Sequence, residues 1–486
     1  MRKYLLTIAG LVLLCLLAAW GTASGSPDTI TVDSTTDVLD AAVGCALVGI
    51  GDLPGPDKET SLREAICAAN DNAGSDIIEF NIPVTDTGYE VSGITGTWTI
   101  SLTSSLPTLT DDGTIISGTT QAANQGNLNL YGPEIEISGA SIGSGSCLRI
   151  ESAGNVVHGL VINRCPLHGV TIHTSATTNT VSGNYIGTDA SGSTDLGNGS
   201  TGVLIVDGAQ GNVVGGDTPE ERNVISGNDP IGVYIYGSDT MSNTVSGNYI
   251  GTDATGTQDL GNAGIGVAIF MGPQNNSVGG DTEGERNIIS GNDGSGVSIG
   301  AAGTTNNTIS GNFIGTDASG SSDLGNSSYG VQISSGAQNN TIGPDNLIAH
   351  NGSGGIRVRD PGTTGNTITR NSIHSNSLLG IDLYDGGNDD IPAPTSSAAN
   401  ACFVMGRAGA GDTVEVFTGL DEEGKTFVTT TSADGSGIWT ALGPLTLDTC
   451  VTATATDASG NTSRFSFPVA AGACYPGFLP LGVKNY

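Results

Sequence analysis

Three nearly identical loops carry paired aspartates, the residues in this sequence whose type and spacing best suit chemistry. The stretch GNYIGTD begins at Gly183 and again at Gly247, and GNFIGTD begins at Gly311, so successive copies are 64 residues apart. Each copy leads into a glycine-bent loop with two carboxylates, and oxygen-rich loops suit Ca²⁺, which takes about six to eight oxygen ligands. The aspartates are Asp189, Asp195, Asp253, Asp259, Asp317 and Asp323.

Calcium binding is one of two interpretations of these loops. Two carboxylates are few for this cation, and their spacing is not that of an EF-hand loop. Aspartates in glycine-rich turns also accept hydrogen bonds from nearby backbone N–H groups, which gives a solvated turn without an ion. We favour the solvated turn. No cofactor is certain, and Ca²⁺ is the one that the sequence suggests.

A second candidate for chemistry lies in the stretch AHNGSGGIRVRDPG, residues 349–362. Arg357 and Arg359 are two residues apart, so in a strand both side chains point to the same side, and polar side chains point outward. With His350 and Asp360 they could form a catalytic site. A basic surface spot without catalysis is the simpler interpretation.

The loops GGDTPEERN and GGDTEGERN alternate with the aspartate loops along the chain. Stacked on one another, their acids would form a negative stripe that the arginines offset in part. We therefore expect solvated turns held by salt bridges. Their charged residues are Asp217, Glu221, Arg222, Asp281, Glu285 and Arg286.

The elements that carry these loops follow from a repeat of about 32 residues. Each unit holds short stretches of alternating apolar and polar residues, separated by Gly and Asn, which indicates short strands. Three such strands per unit, stacked unit on unit, make a parallel β-helix. One asparagine per unit would lie at an inward corner and bond to its counterpart one coil away, forming a ladder. These residues are Asn179, Asn212, Asn243, Asn276, Asn307, Asn340 and Asn366.

We expect this β-helix at residues 95–390, with about ten coils. Before it, residues 26–94 would form an N-terminal cap. The stretch TSLREAICAAN within the cap predicts a helix, because Ser61 and Glu64 can form a capping box and apolar residues share one face. That face would cover the first coil.

The two ends of the chain differ from the β-helix. Alternating strands at 400–470 predict a small antiparallel β-sandwich, which makes the fold class all-β. A proline-broken apolar tail follows at 471–486. Residues 1–25 have the basic start, apolar run and small-residue end of a secretory signal peptide, a membrane anchor being the alternative.

The charge composition limits the classes of molecule that the protein can bind. Acidic residues outnumber basic ones 48 to 15, which gives a net charge of −33. Nucleic-acid binding relies on clustered Lys and Arg, so this balance argues against it. It also argues against direct binding of polyanionic glycans unless cations bridge the two. No segment after the first 25 residues has the length of a transmembrane helix.

An exported protein can keep disulfides, so the cysteines are candidates for pairing. Of the eight cysteines, Cys15 lies in the signal segment. Proximity along the chain suggests three pairs and leaves Cys474 over. The pairs are Cys45–Cys67, Cys147–Cys165 and Cys402–Cys450.

Several stretches resemble known families. TSLREAICAANDNAGSDIIEF, residues 60–80, resembles the N-terminal signature of bacterial exported CSLREA-domain proteins, although Thr60 stands where that family has Cys. The coil sequences NVISGN and GNYIGTDATG resemble right-handed parallel β-helix repeats of the pectate-lyase-like superfamily. Residues 400–470 look like a bacterial Ig-like module. The superfamily implies glycan chemistry only where a site is present, and its Gly-His-Gly and Asp-Pro-His motifs are absent here.

Together these observations favour a secreted or cell-surface bacterial β-helix protein with a structural, adhesive or glycan-binding role. Its partner would be an extracellular polysaccharide or another cell-envelope component. The alternative is a polysaccharide lyase or glycoside hydrolase with its site at Arg357 and Arg359. The sequence does not decide whether the protein is an enzyme, and we favour the interpretation without catalysis.

Overall fold

The computed structural model describes residues 27–41, 44–92, 95–399, 402–419, 423–443 and 450–471. Three long sheets, A, B and C, lie side by side, and from residue 156 onward each turn of the chain passes through them in that order. The fold is a right-handed parallel β-helix followed by small antiparallel sheets, so the predicted fold class is confirmed. The expected signal peptide and residues 472–486 lie outside the described residues.

Sheets A and B each contain eleven strands. The strands of sheet A are parallel: Asp28–Val32, Asp76–Phe80, Ile115–Ser117, Val156–His158, Thr180–Ser182, Val213–Gly215, Thr244–Ser246, Ser277–Gly279, Thr308–Ser310, Thr341–Ile342 and Thr367–Ile368. Sheet B begins with an antiparallel hairpin and continues in parallel. Its strands are Tyr89–Ser92, Thr95–Ser101, Ile135–Ser138, Leu160–Asn163, Tyr185–Ile186, Val224–Ile225, Tyr249–Ile250, Ile288–Ile289, Phe313–Ile314, Leu347–Ala349 and Ser372–His374.

Sheet C has nine parallel strands: Leu148–Ile150, Val170–Ile172, Thr201–Val206, Ile231–Tyr236, Val267–Phe270, Val297–Gly300, Val331–Ser334, Ile356–Arg359 and Ile381–Tyr384. Alternation along these strands decides which side chains fill the interior. Val203, Val233 and Val267 are register partners on neighbouring strands, and all three are fully buried. Each coil thus buries Val and Ile against the next, at about 25 cal/mol for each Å² of apolar surface removed from water.

The predicted asparagine ladder is present, and its members are buried. Up to the last member, Asn366, each side-chain Nδ2 donates to the Oδ1 of the asparagine one coil further on, as from Asn243 to Asn276 at 3.0 Å. Two further ladders, which the sequence analysis missed, run beside it. One contains Asn184, Asn223, Asn248, Asn287, Asn312, Asn346 and Asn371. The other contains Asn198, Asn228, Asn262, Asn292, Asn326, Asn351 and Asn376.

Helix α1, Leu62–Asp71, covers the N-terminal end of the stack. Ser61 and Glu64 form the predicted capping box, and the apolar face of the helix is buried in the core of the β-helix. Two strands from the predicted cap region, Asp28–Val32 and Asp76–Phe80, already pair in sheet A, so stacking begins before residue 95. Within the described ranges, the other helical segments are α2, Thr119–Gln125, and the 3₁₀ turns Cys45–Leu47, Ile50–Asp52 and Gly387–Asp390.

Two of the three suggested disulfides are present, Cys45–Cys67 and Cys147–Cys165. The third suggestion, Cys402–Cys450, is wrong. Cys402 is disulfide-bonded, but Cys450 is a free thiol, so Cys402 pairs with another cysteine. Proximity along the chain failed here because Cys450 begins a strand inside the module, where its neighbours are Gly419 and Ala470.

The C-terminal module consists of two antiparallel sheets that share one apolar core around Trp439. One sheet contains Thr395–Ala399, Phe403–Arg407 and Ile438–Leu442, and the other contains Thr413–Gly419, Thr426–Ser432, Cys450–Thr456 and Val469–Ala470. The module covers the last coil: the Ile368 N–H donates to Thr462 Oγ1 at 2.9 Å, and the Ile373 N–H donates to the Gly424 carbonyl at 3.0 Å. It therefore pairs backbone groups at the ends of sheets A and B that would otherwise be open edges.

Candidate functional site

The outer face of sheet C carries the candidate site. Because side chains alternate along each strand, every coil presents outward residues in register with those of the next coil. One column, from the first strand to the last, reads Arg149, Thr171, Leu204, Tyr234, Ala268, Ser298, Gln332, Arg357 and Asp382. A neighbouring column contains Val206, Tyr236, Phe270, Gly300 and Ser334.

Three aromatic side chains meet in the middle of this face, and we call Tyr234, Tyr236 and Phe270 the aromatic platform. The ring centroids of Tyr234 and Tyr236 are 5.2 Å apart, and those of Tyr234 and Phe270 are 6.4 Å apart, both edge to face. All three rings are half-buried, and the adjoining Met271 is 54% exposed. A Cβ at Gly300 would lie 2.4 Å from the Phe270 ring, so glycine there leaves room for it. The platform is an apolar patch on a polar surface.

A charged cluster lies on the same face, two strands from the platform. His173 Nε2 is 2.9 Å from Asp207 Oδ2, and its Nδ1 is 3.0 Å from a guanidinium nitrogen of Arg149. Arg149 Nε also donates to Glu151 Oε1 at 2.5 Å. In the neutral ring, Nε2 carries the proton toward Asp207, and Nδ1 accepts from the arginine. An imidazole held between a carboxylate and a guanidinium has the oriented partners that proton transfer requires.

Arg357, one of the residues expected to be catalytic, lies at the C-terminal end of this face. Its guanidinium is 4.4 Å from the ring centroid of Tyr384 and 5.1 Å from that of Tyr329. Its Nε is 3.5 Å from Asp382 Oδ2, and Arg464 of the C-terminal module is 3.5 Å from the other oxygen of Asp382. Arg357 thus contacts two aromatic rings and pairs with Asp382. Asp382 also pairs with Arg464, so this cluster helps to join the module to the β-helix.

The other three residues of that expected site do not gather around Arg357. Arg359 points to the same side, as predicted, and its Nε is 3.7 Å from Asp360 Oδ2. Asp360 accepts a hydrogen bond from the Ser335 N–H at 3.0 Å. His350 directly follows a strand of sheet B, at a different corner of the coil, and its Nδ1 is 4.0 Å from Asp323 Oδ2. The turn at 351–355 separates it from the arginines.

In each of the three aspartate loops, the first aspartate closes the loop by accepting backbone hydrogen bonds. Asp253 Oδ1 accepts from the N–H groups of Thr257 and Gln258, both at 3.0 Å. Asp189 and Asp317 accept from the corresponding groups of their own loops. The second aspartates, Asp195, Asp259 and Asp323, each accept from the glycine N–H two residues later.

The electrostatics of Asp317 agree with this arrangement. Burial alone would raise the pKa of its carboxyl group. Hydrogen bonds from the Ser319 hydroxyl and from the N–H groups of Ser322 and Ser321 outweigh burial and lower the pKa to about 2. Backbone N–H groups occupy Oδ1 of the first aspartate in each loop, whereas Ca²⁺ takes about six to eight oxygens directed at itself, so calcium binding here stays a prediction. Nowhere in the described residues do three or more His, Cys, Asp or Glu side chains form a group that could hold a metal ion.

None of the helices within the described ranges is long and apolar enough to cross a membrane. No protein-family model matches the chain, so the CSLREA and Ig-like resemblances stay predictions. No curated protein matches it either.

Several solved structures are similar at low identity. A periplasmic alginate epimerase is 12% identical with a TM-score of 0.34, over 65% of this chain and 71% of that one. The A-module of an Azotobacter vinelandii mannuronan C-5 epimerase is 15% identical with a TM-score of 0.32, over 66% and 94%. The Dettilon tailspike protein is 13% identical with a TM-score of 0.29, over 83% and 90%. The β-helix architecture itself rests on the three stacked sheets described above.

Proposed function

We propose that this is an exported protein that binds a glycan chain along the outer face of sheet C. The observation that carries the proposal is the aromatic platform. The C–H groups on one face of a sugar ring stack well on an exposed aromatic ring, and half-buried rings provide such area at low entropic cost. The charged side chains of Arg149, His173 and Asp207 lie on the N-terminal side of the platform and can bind hydroxyl groups. The nine strands span roughly 40 Å, enough for several sugar residues.

The charge of the molecule defines the class of glycan. With a net charge of −33, the protein repels polyanions at long range, so neutral polysaccharides fit best. Export is supported by the signal-like start of the sequence and by two disulfides, which persist in oxidising compartments. The ligand would then be an extracellular or cell-surface polysaccharide.

Glycan pull-down and calorimetry with a panel of neutral and uronic-acid polysaccharides test the proposal. We expect binding of a neutral polymer, weakened at least tenfold in Tyr234→Ala and Tyr236→Ala. Gln332→Ala changes an outward residue of the same face away from the platform, and it should retain affinity within about threefold. Equal losses in all three variants, or no binding to any polymer, would refute the assignment.

Polysaccharide cleavage is the second candidate, and the charged cluster around His173 is the observation that favours it. If the face cleaves the chain that it binds, His173→Ala should abolish product formation while binding to the platform persists. Arg359→Ala tests the site expected from the sequence. Incubation of each variant with the bound polymer, followed by sizing of the products, distinguishes the two sites. If the unmodified protein leaves the polymer intact, cleavage is excluded and glycan binding without cleavage remains.

A further inference from the structure

A cavity of about 390 Å³ lies away from sheet C, along the edge between sheets A and B. It forms where the loop DTPEER, residues 217–222, meets α2 and the segment that follows this helix. A cavity of this size accommodates a small polar ligand. Its lining includes Glu134, His158, Tyr185, Arg222 and Val224.

Arg222 has no ion-pair partner among the described residues, although acids greatly outnumber bases in this chain. Its guanidinium carbon is 4.4 Å from the ring centroid of Tyr249, and its Nε donates to the Gly247 carbonyl at 3.3 Å. These contacts hold the side chain in place and leave the terminal nitrogens available. The result is a positioned cation at the wall of a cavity.

The repeat supplies an internal comparison for this arginine. Arg286, 64 residues later, stacks on the Phe313 ring at 4.2 Å and bonds the Gly311 carbonyl at 3.3 Å in the same way. Unlike Arg222, it also pairs with Glu283, at 3.6 Å. The first loop reads DTPEER where the second reads DTEGER, so Pro219 stands where the second loop has Glu283. One sequence difference therefore leaves the cavity arginine without the carboxylate that its counterpart has.

The remaining walls offer a ring surface and polar groups. The Tyr185 hydroxyl donates to the Tyr131 carbonyl at 2.5 Å, which fixes its ring at the cavity. His158 Nδ1 is 3.1 Å from Ser182 Oγ. Glu134 is only 3% exposed, and its Oε2 has no hydrogen-bond partner. Burial raises the pKa of Glu134, and hydrogen bonds from the Leu128 and Asn129 N–H groups offset this in part.

We propose that this cavity binds a monomeric or chain-terminal sugar acid. Its carboxylate pairs with Arg222, one ring face lies on Tyr185, and its hydroxyl groups bond to His158 and Glu134. The site is separate from the aromatic platform and does not depend on glycan binding there. The net charge of the protein is screened beyond about 8 Å at physiological salt, so the pairing at Arg222 dominates at this distance.

Calorimetry with D-glucuronate and D-glucose tests the proposal, because the two sugars share a ring and differ in the carboxylate. We expect glucuronate to bind at least tenfold more tightly than glucose. Arg222→Ala should remove that preference, and Arg286→Ala, the matched control, should keep the glucuronate Kd within twofold. Pro219→Glu combined with Glu220→Gly converts the first loop to the sequence of the second and should also remove the preference.

The loop variant copies a sequence that the chain already folds, so its melting temperature should stay close to that of the unmodified protein. Three outcomes would overturn the proposal: equal affinity for both sugars, no detectable binding of glucuronate, or equal losses in Arg222→Ala and Arg286→Ala. Loss of platform binding in Tyr234→Ala with glucuronate binding intact would confirm that the two sites are independent.

Discussion

Replacement of one buried ladder asparagine should destabilise the β-helix far more than replacement of its outward neighbour. Asn276 is fully buried. Its Oδ1 accepts from the Asn243 N–H at 2.9 Å and from Asn243 Nδ2 at 3.0 Å, and its own Nδ2 donates to Asn307 Oδ1 at 2.9 Å. Asn276→Ala leaves the Asn243 N–H buried without an acceptor. Asn243 Nδ2 also loses Asn276 but keeps its bond to the Ala209 carbonyl.

One orphaned buried N–H costs about 1–3 kcal/mol, and each of the other lost bonds contributes about 1 kcal/mol or less. We therefore expect Asn276→Ala to lower the free energy of unfolding by about 3 kcal/mol, measured as a shift of the urea midpoint at unchanged slope. The control Ser277→Ala removes a half-buried outward hydroxyl and should cost about 0.5 kcal/mol or less. If the two variants lower the free energy of unfolding equally, the buried ladder bonds do not stabilise the fold.

Asn276→Asp adds a pH dependence with a defined sign. One oxygen of the new carboxyl keeps the two Asn243 donors, which lower its pKa, and the other oxygen faces the Asn307 Oδ1 and backbone carbonyls. We expect burial and these acceptors to outweigh the donors and raise the folded-state pKa above the unfolded value. The protonated form can still donate, so the variant keeps its stability below about pH 4 and loses it as pH rises through the raised pKa. Unfolding at pH 4 and pH 7, each relative to the unmodified protein, measures the effect. A larger deficit at pH 4 than at pH 7 would contradict it.

Three further predictions follow from the same contacts. Asp317→Ala should lower the melting temperature. The pKa of Asp317 is lower in the folded state, so its carboxylate stabilises the fold above the unfolded pKa and stops doing so as it protonates. The loss in melting temperature should therefore shrink as pH falls from 4 toward 2, and a loss independent of pH would contradict this. Chelation with EDTA should leave the melting temperature of the unmodified protein unchanged, and a decrease that Ca²⁺ reverses would restore the metal interpretation of the aspartate loops. A maleimide should label Cys450 in the denatured, unreduced protein and label Cys402 only after reduction; protection of Cys450 before reduction would restore the Cys402–Cys450 pair.

The repeat made the stack of coils predictable, because a fixed period constrains every coil in the same way. The recurrence of Asn179 and its counterparts identified one ladder, since they precede an obvious strand. The other ladders were equally regular, but Asn184 and Asn198 lie in stretches that also carry aspartates, and the carboxylates attracted the functional interpretation. Residue spacing alone does not show that an aspartate faces its own backbone.

The candidate site was less predictable, because neighbouring coils bring together residues distant in sequence. Tyr234 and Tyr236 share a face by alternation, which the stretch YIY shows, but Phe270 joins them only through the register of adjacent strands. His173 and Asp207 meet for the same reason. Arg357 and Arg359 were correctly placed on one side, yet their partners Asp382 and Tyr384 arrive one coil later and could not be assigned without the register.

The asparagine ladders give the β-helix a dipole along its axis. From coil to coil, each ladder Nδ2 donates to the next Oδ1 toward the C-terminal end, so the side-chain dipoles align as peptide dipoles do in a helix, and chained hydrogen bonds polarise one another. At the last coil, the Asn376 N–H and Nδ2 are 3.1 and 3.2 Å from the two carboxylate oxygens of Glu423 in the C-terminal module. An anion thus meets the electropositive end of a column of amides. A second β-helix stacked on this end would have to displace the Glu423 carboxylate. The C-terminal module therefore limits the stack to the coils of one chain.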